Sequence, residues 1–180
     1  MREIALHMAD IAENALAAGA ARIKLSVIID RAADRLTTAV EDNGRGMDAD
    51  TLYRCTDPFM TTRTARRVGL GIALFKLSAE QSGGSFTIKS EQGRGTRAEA
   101  AYIISGIDRA PLGNIAETMA ALIAANPETD FTLEYAADGK AFAFATDTIP
   151  YNDRTAAFAA AAKKEIQQRI DEINGGAEPI

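Results

Sequence analysis

The chain is poor in the residues that build redox and metal chemistry. It has one cysteine, Cys55, one histidine, His7, and no tryptophan among 180 residues. A lone cysteine excludes an intrachain disulfide and a cysteine metal cluster, and a lone histidine excludes a multi-histidine zinc site. Cys55 is expected as a small buried or half-buried side chain. No apolar run approaches the ~18 residues of a membrane-spanning helix, and the N-terminus lacks the charged-then-apolar layout of a secretion signal. No long basic run offsets the net charge of −5, which argues against general nucleic-acid affinity. What is there is 47% apolar and shows strand and helix periodicity. The expectation is a globular cytoplasmic protein of one domain, or one domain with a small addition.

The most informative stretch is Val68-Gly69-Leu70-Gly71-Ile72-Ala73-Leu74-Phe75-Lys76. It reads as a loop running straight into a helix over 70–81, with Leu70, Ala73, Leu74 and Leu77 recurring at helical spacing. Two close glycines at a helix start let backbone N–H groups approach an anion, and the helix N-terminus adds partial positive charge. A basic, Thr-rich loop, Thr61-Thr62-Arg63-Thr64-Ala65-Arg66-Arg67, precedes it. Its arginines suit a phosphate chain, and residues 56–68 read as a mobile lid.

Residues 2–18 read as a helix whose core stripe is Ile4, Met8, Ile11 and Ala15. Beside that stripe His7, Asp10 and Asn14 share a face, at i, i+3 and i+7, while Glu13 is turned about 100° from Asn14. Such polar residues are either a solvated helix edge or groups that bind something. Two strands follow, Arg22 to Asp30 and Leu36 to Asp42, as an antiparallel hairpin. The second runs into Asp42-Asn43-Gly44-Arg45-Gly46-Met47, which reads as an ordinary turn or as backbone brought close to a ligand. Asp48 is expected to cap a short helix through about Arg54. Strands over Ser85 to Ser90 and Arg97 to Ile104 flank the Gly-rich turn Gln92-Gly93-Arg94-Gly95-Thr96. Composition shifts at Ser105 to Gly113, which places a boundary near 105. Beyond it come a helix over Asn114 to Ala125, a hairpin turned at Asp138-Gly139, and a last helix over Thr155 to Asn174.

Four signals therefore stand in order: Asp10-x-x-Glu13-Asn14, Asp42-Asn43-Gly44-x-Gly46, Gly69-x-Gly71 and Gly93-x-Gly95-Thr96. In order and content they resemble the GHKL ATPases, the superfamily of gyrase, heat-shock chaperone, histidine kinase and MutL. The resemblance covers residues 1 to about 104. Glu13 to Ala20 is close to the MutL version of the first box, whereas Asp57-Pro58-Phe59 and Gly69-Leu70-Gly71-Ile72 look more like histidine kinases. It implies a Bergerat-type ATP-binding fold, an α/β (α+β) two-layer sandwich whose mixed sheet carries helices on one face. The C-terminal residues would add a small α-β-β-α extension, residues 106–180.

By the resemblance, Asn14 is the Mg²⁺ ligand, an amide oxygen being a suitable hard ligand. Asp42 accepts a hydrogen bond from the adenine amino group. Gly44 and Gly46 let the base lie against the backbone, with Met47 beside them. Gly69 and Gly71, with Leu70 between them, stand beside the phosphates, joined by Thr61, Thr62 and Arg63 of the basic loop. Thr96 helps to hold Asp42 and a water. Asp10 stands where MutL and gyrase carry the water-activating Glu, so it is the candidate general base; it is one methylene shorter, and Glu13 is its rival. Arg67 replaces the first Gly of the usual Gly-x-Gly-x-Gly stretch.

The ATP-binding region starts at residue 1, so the expectation is a stand-alone module without a phospho-acceptor His domain, and His7 is given a neighbour-tuning or structural role. Two functions fit. One is a Mg-ATP-dependent ATPase or protein kinase of regulatory type, with ATP and a protein phospho-acceptor as partners. The other is a non-catalytic, nucleotide-gated interaction module. Neither involves nucleic acid or a membrane, and the Ala-rich C-terminal region suits a protein partner or a homodimer.

Overall fold

Apolar residues at helical spacing turn the first segment into α1 (Ile4–Ala17), which buries Ile4, Ala5, Met8, Ile11, Ala12 and Ala15. Period-two alternation then gives β1 (Arg22–Asp30) and β2 (Arg35–Asp42). They pair antiparallel with Leu25 opposite Val40 and Ile23 opposite Asp42. The computed structural model describes residues 3–55, 70–175 and 180. Within them follow α2 (Ala49–Cys55), α3 (Leu70–Gln81), β3 (Ser85–Glu91) and β4 (Gly95–Ile103). The C-terminal part supplies α4 (Ile115–Ala125), β5 (Asp130–Ala137), β6 (Lys140–Ala145), a 3₁₀ turn at Tyr151–Asp153 and α5 (Ala156–Asn174). Asp48 caps α2 through a 2.7 Å bond from the Thr51 amide. Cys55 is buried, its Sγ 3.1 Å from the Leu52 carbonyl.

The six strands form one mixed sheet in the order β3-β4-β2-β1-β5-β6. Its parallel pair joins β1 to β5, so the C-terminal strands widen the sheet begun by the N-terminal ones. The helices pack on one face: α1 against β1, β2 and β4, α3 against β3 and β4, and α4 and α5 against β5. Alternation sends Ile23, Leu25, Val27 and Ile29 of β1 and Phe131, Leu133 and Tyr135 of β5 into that shared core. The other face is polar and laced by ion pairs, Arg97 with Glu41 and Glu99 at 2.7 Å each, and Lys24 with Glu134 at 3.5 Å. Exposed pairs of this kind add little stability; here they mark the face that the helices leave open. This is the two-layer α/β sandwich with helices on one face that the family resemblance implies.

Helix α3 differs from its sequence reading in one respect. Leu70, Leu74 and Leu77 are 60%, 38% and 47% exposed. The buried face is instead Ile72, Ala73, Phe75, Ser78 and Ala79. A second, larger apolar stripe lies beside the obvious one, and Phe75 is its anchor. The Phe75 ring stacks on buried His7 of α1, with centroids 6.2 Å apart. His7 is therefore part of the contact between α1 and α3.

The C-terminal segment is secured by Arg154, which is buried. Its guanidinium donates to the carbonyls of Ile149, Pro127, Thr129 and Thr146 and pairs with the Asp130 carboxylate at 2.7 Å. A buried charge must be fully bonded in this way to be tolerated.

Candidate functional site

Between α1, the end of β2, the start of β4 and the start of α3 lies a cleft of about 330 Å³. Its walls include Ile11, Ala15, Ile72, Ile88 and Ala98, which give it an apolar lining. Its polar groups include Asn14, Asp42 and Thr96. An apolar slot with a few convergent polar groups is the usual form of a small-ligand site.

Asp42 ends β2, and its register partner on β4 is Thr96. Asp42 Oδ1 accepts a 2.7 Å bond from the Gly44 amide. Burial pushes the Asp42 carboxyl above the usual carboxylate range, opposed by the Gly44 and Thr96 amides that face it. A partly buried carboxylate bonded by the Gly44 amide, with the Thr96 amide facing it, is aimed rather than solvated, and its remaining lone pairs suit one further donor. Neighbouring Asn43 fixes the turn, because its Oδ1 accepts from the amides of Ala21 at 3.0 Å and Arg22 at 2.8 Å.

Ser90 supports the same corner. Its Oγ accepts the Met47 amide at 2.8 Å, lies 3.0 Å from the Gly95 carbonyl and 2.8 Å from Thr96 Oγ1. A hydroxyl has one proton. When Ser90 gives it to the Gly95 carbonyl, Thr96 donates to Ser90, and the Thr96 oxygen presents lone pairs to the cleft. Ser90→Ala removes both the Met47 acceptor and this orientation. The expected result is a fall of roughly 2- to 10-fold in affinity for the ATP that the resemblance implies, with the fold retained, the size of one neutral hydrogen bond. Calorimetric titration of the variant checks it, and an unchanged affinity makes Ser90 a purely local turn residue.

At the other end of the cleft α1 meets the start of α3. A Cβ added at Gly71 would stand 3.2 Å from Asp10 Cβ and 3.4 Å from Asn14 Nδ2. A side chain there would be tight against α1, so glycine suits the close approach of the two helices. Asp10 and Asn14, one turn apart and both half-buried, are thus brought to one spot at the α3 N-terminus. Glu13 is exposed.

The structure gathers Asn14, Asp42, Gly46, Met47 and Thr96 along one cleft. Asp10 and Gly71 stand at its end rather than in its lining. Gly44 acts through its amide on Asp42, and Leu70 projects to solvent. The role of Gly46 is also local: it has φ +64°, and a Cβ there would run into the Glu91 carbonyl. Thr61, Thr62, Arg63 and Gly69, with the rest of the stretch 56–68 that the sequence reads as a lid, lie outside the described residues. The sequence reading missed Ser90, Asn43 and the apolar walls. The walls carry a usable signal, since Ala98 shares strand parity with Thr96, and Ile88 stands opposite Ala98 on β3.

A helix-covered mixed sheet with this cleft at the ends of β2 and β4 defines a Bergerat-type α/β sandwich. The family model described as histidine kinase-, DNA gyrase B-, and HSP90-like ATPase matches residues 2–103, and the chain belongs to that family. Among curated relatives, the sensor protein kinase FleS of Pseudomonas aeruginosa is 41% identical over 108 residues, 60% of this chain and 26% of that protein. The sensor histidine kinase ZraS of Salmonella typhimurium is 39% identical over 62 residues, 34% of this chain and 13% of that protein. The alginate biosynthesis sensor protein KinB of Pseudomonas aeruginosa is 33% identical over 89 residues, 49% of this chain and 15% of that protein. The matched stretches thus span about a quarter or less of these relatives. Together they define an ATP-binding module of this superfamily. Among the described residues no helix is long and apolar enough to cross a membrane.

Proposed function

We propose that this chain binds Mg-ATP in the cleft and either hydrolyses it slowly or passes its γ-phosphoryl group to a partner protein, in a regulatory role. The observation that carries the reading is the meeting of Asp10 and Asn14 at Gly71, at the opposite end of the cleft from Asp42. Adenine would lie in the apolar slot, its amino group donating to Asp42. The phosphates would reach the α3 N-terminus, where the helix dipole favours anions. Bound Mg²⁺ supplies charge neutralisation and orientation for phosphoryl transfer.

The residues fit that ion. Among the described residues no three His, Cys, Asp or Glu side chains form a ready-made cage. Asn14 offers an amide oxygen, and a single protein ligand beside phosphate oxygens and waters is how Mg²⁺ is commonly held. Asp10, one turn away, is placed to take a proton from the attacking water or hydroxyl.

Asn14→Ala should weaken ATP binding roughly tenfold in the presence of Mg²⁺ and little in its absence, the scale of one bond to a charged group. Titrations with and without the metal check it. If both affinities match the parent, Asn14 is structural.

A second reading, the nucleotide-gated interaction module, has its own observation. Leu6 of α1 and Leu70, Leu74 and Leu77 of α3 leave apolar surface on the two helices that frame the phosphate end. The two readings separate with γ-labelled ATP and Mg²⁺. Phosphate release or label on protein supports catalysis, and binding with neither supports gating.

A further inference from the structure

The two outer strands of the sheet are finished differently. Strand β3 carries Lys89 and Glu91, charges of the kind that discourage strand addition. Strand β6 reads Lys-Ala-Phe-Ala-Phe-Ala, and between Ala141 and Ala145 it holds no charge and no proline. Its last-strand position leaves one side unpaired among the described residues. Long, uncharged, β-prone edges are normally blunted or covered, because they template pairing with another strand.

The register shows which groups that edge offers. Lys140 faces Ala137 across a two-residue turn, Phe144 faces Leu133, and Thr146 donates its amide to the Phe131 carbonyl at 3.0 Å. Antiparallel ladders alternate, so the even-numbered residues of β6 bond to β5. The amides and carbonyls of Ala141, Ala143 and Ala145 then point outward, and all three side chains are exposed.

We propose that two copies of this chain join through β6, antiparallel about a two-fold axis at Ala143, into one continuous twelve-strand sheet (twice the six strands of one copy). The sequence of the strand is self-complementary about that residue. Ala143 meets its own symmetry mate, and Ala141 meets Ala145 of the second copy, each as a hydrogen-bonded pair built from outward-pointing groups. Phe142 and Phe144 lie on the helix side, where their register partners are Tyr135 and Leu133. Each would stand opposite the other's mate, and cross-strand aromatic pairs are among the favourable ones. On the open face only alanines meet, so no like charges are opposed.

Helix α5 agrees with the same axis. The Arg169 guanidinium lies over the Phe142 ring, 5.7 Å from its centroid, and pairs with Glu165 one turn earlier at 3.3 Å. This places the Glu165–Arg169 segment above the middle of β6. A two-fold at Ala143 makes the two α5 helices antiparallel neighbours and brings Arg169 of each copy toward Glu165 of the other. Such an interface is isologous and closes as a dimer.

The test uses the full chain without nucleotide, so its outcome is independent of the ATP reading. Light scattering and sedimentation should give a particle of twice 19.1 kDa at micromolar concentration. Ala143→Lys, which puts two ammonium groups on the axis but touches no β5 bond, should give a folded monomer with an unchanged circular-dichroism spectrum. In a Cys55→Ser background, Ala143→Cys should cross-link to itself under mild oxidation, since the paired Cα atoms would be about 5.5 Å apart, within disulfide reach. Arg169→Glu should raise the dimer dissociation constant several-fold, and adding Glu165→Arg should restore it. A monomer at all concentrations up to about 100 μM, a typical range for weak association, overturns the proposal. So does a dimer that neither loosens with Ala143→Lys nor cross-links through Cys at 143, because its interface then lies elsewhere.

Discussion

Asp42→Asn is expected to lower ATP affinity by about 10- to 150-fold, the cost of losing one charge-assisted hydrogen bond of about 1.5–3 kcal/mol. The structure says why an isosteric amide fails. The amides of Gly44 and Thr96 already face the Asp42 carboxylate. The adenine amino group would be the third donor. A carboxylate has two acceptor oxygens and can serve all three, whereas an amide has one oxygen and one NH₂. Whichever way Asn is turned, its NH₂ confronts either a backbone N–H or the adenine amino group.

The same carboxyl sets a pH dependence. Burial raises its folded-state pKa above the ordinary value. Protonated Asp42 therefore favours the apo fold, a contribution present at low pH and lost as pH rises through the raised pKa. Nucleotide binding needs the ionised form, so affinity should rise with pH through that window and level off above it. In Asp42→Asn this acid flank should vanish. Calorimetry of both proteins across pH 4 to 7, about the carboxylate range and above, checks the two statements. A parent profile identical to the variant's would remove Asp42 from the adenine contact.

Much of this arrangement is legible in the chain. Period-two alternation located β1 and β4, and the capping residue Asp48 marked the start of α2, because these signals are local. Asp10 and Asn14 could be placed on one face of α1 from helical geometry alone. What resisted reading was non-local. The parallel pairing of β1 with β5 spans over a hundred residues and leaves no local mark. The buried face of α3 was hidden because two apolar stripes compete on one short helix, and only contact with His7 and the sheet selects Phe75 over Leu74 and Leu77. The glycines were read as ligand-facing. Gly46 and Gly71 are explained at least as well by backbone and helix approach, a demand that depends on partners distant in sequence. Ser90 was overlooked for a similar reason, since its importance lies in joining Met47 to Thr96.

Asp10→Asn should keep ATP binding and lower turnover by roughly 10²- to 10⁴-fold, the usual weight of a positioned general base. The argument is one of placement. Asn14 stands one helical turn after Asp10, and both abut Gly71 at the α3 N-terminus. Phosphates drawn to that terminus and oriented through Asn14 would present the γ-phosphoryl group near the Asp10 carboxylate. An in-line water or acceptor hydroxyl could then lose its proton to a carboxylate oxygen as the P–O bond to ADP breaks. In such a reaction metal and cationic side chains would bear most of the transition-state charge, so the base would contribute a factor rather than the whole rate. The proposed adenine partner, Asp42, lines the cleft near the C-terminal end of α1, away from Asp10, which is why affinity should survive. Glu13→Gln is the matched control. Glu13 is exposed and turned away from the meeting point of α1 and α3, so its loss should change turnover less than about twofold, within the range of a surface substitution. Single-turnover assays with γ-labelled ATP on the parent and both variants decide the matter. A dead Glu13→Gln with an active Asp10→Asn would mean that α1 presents a different face to the phosphates. A parent that binds ATP but shows no turnover with candidate partners would move the weight to the gated interaction module, in which Asp10 serves only to shape the phosphate end of the cleft.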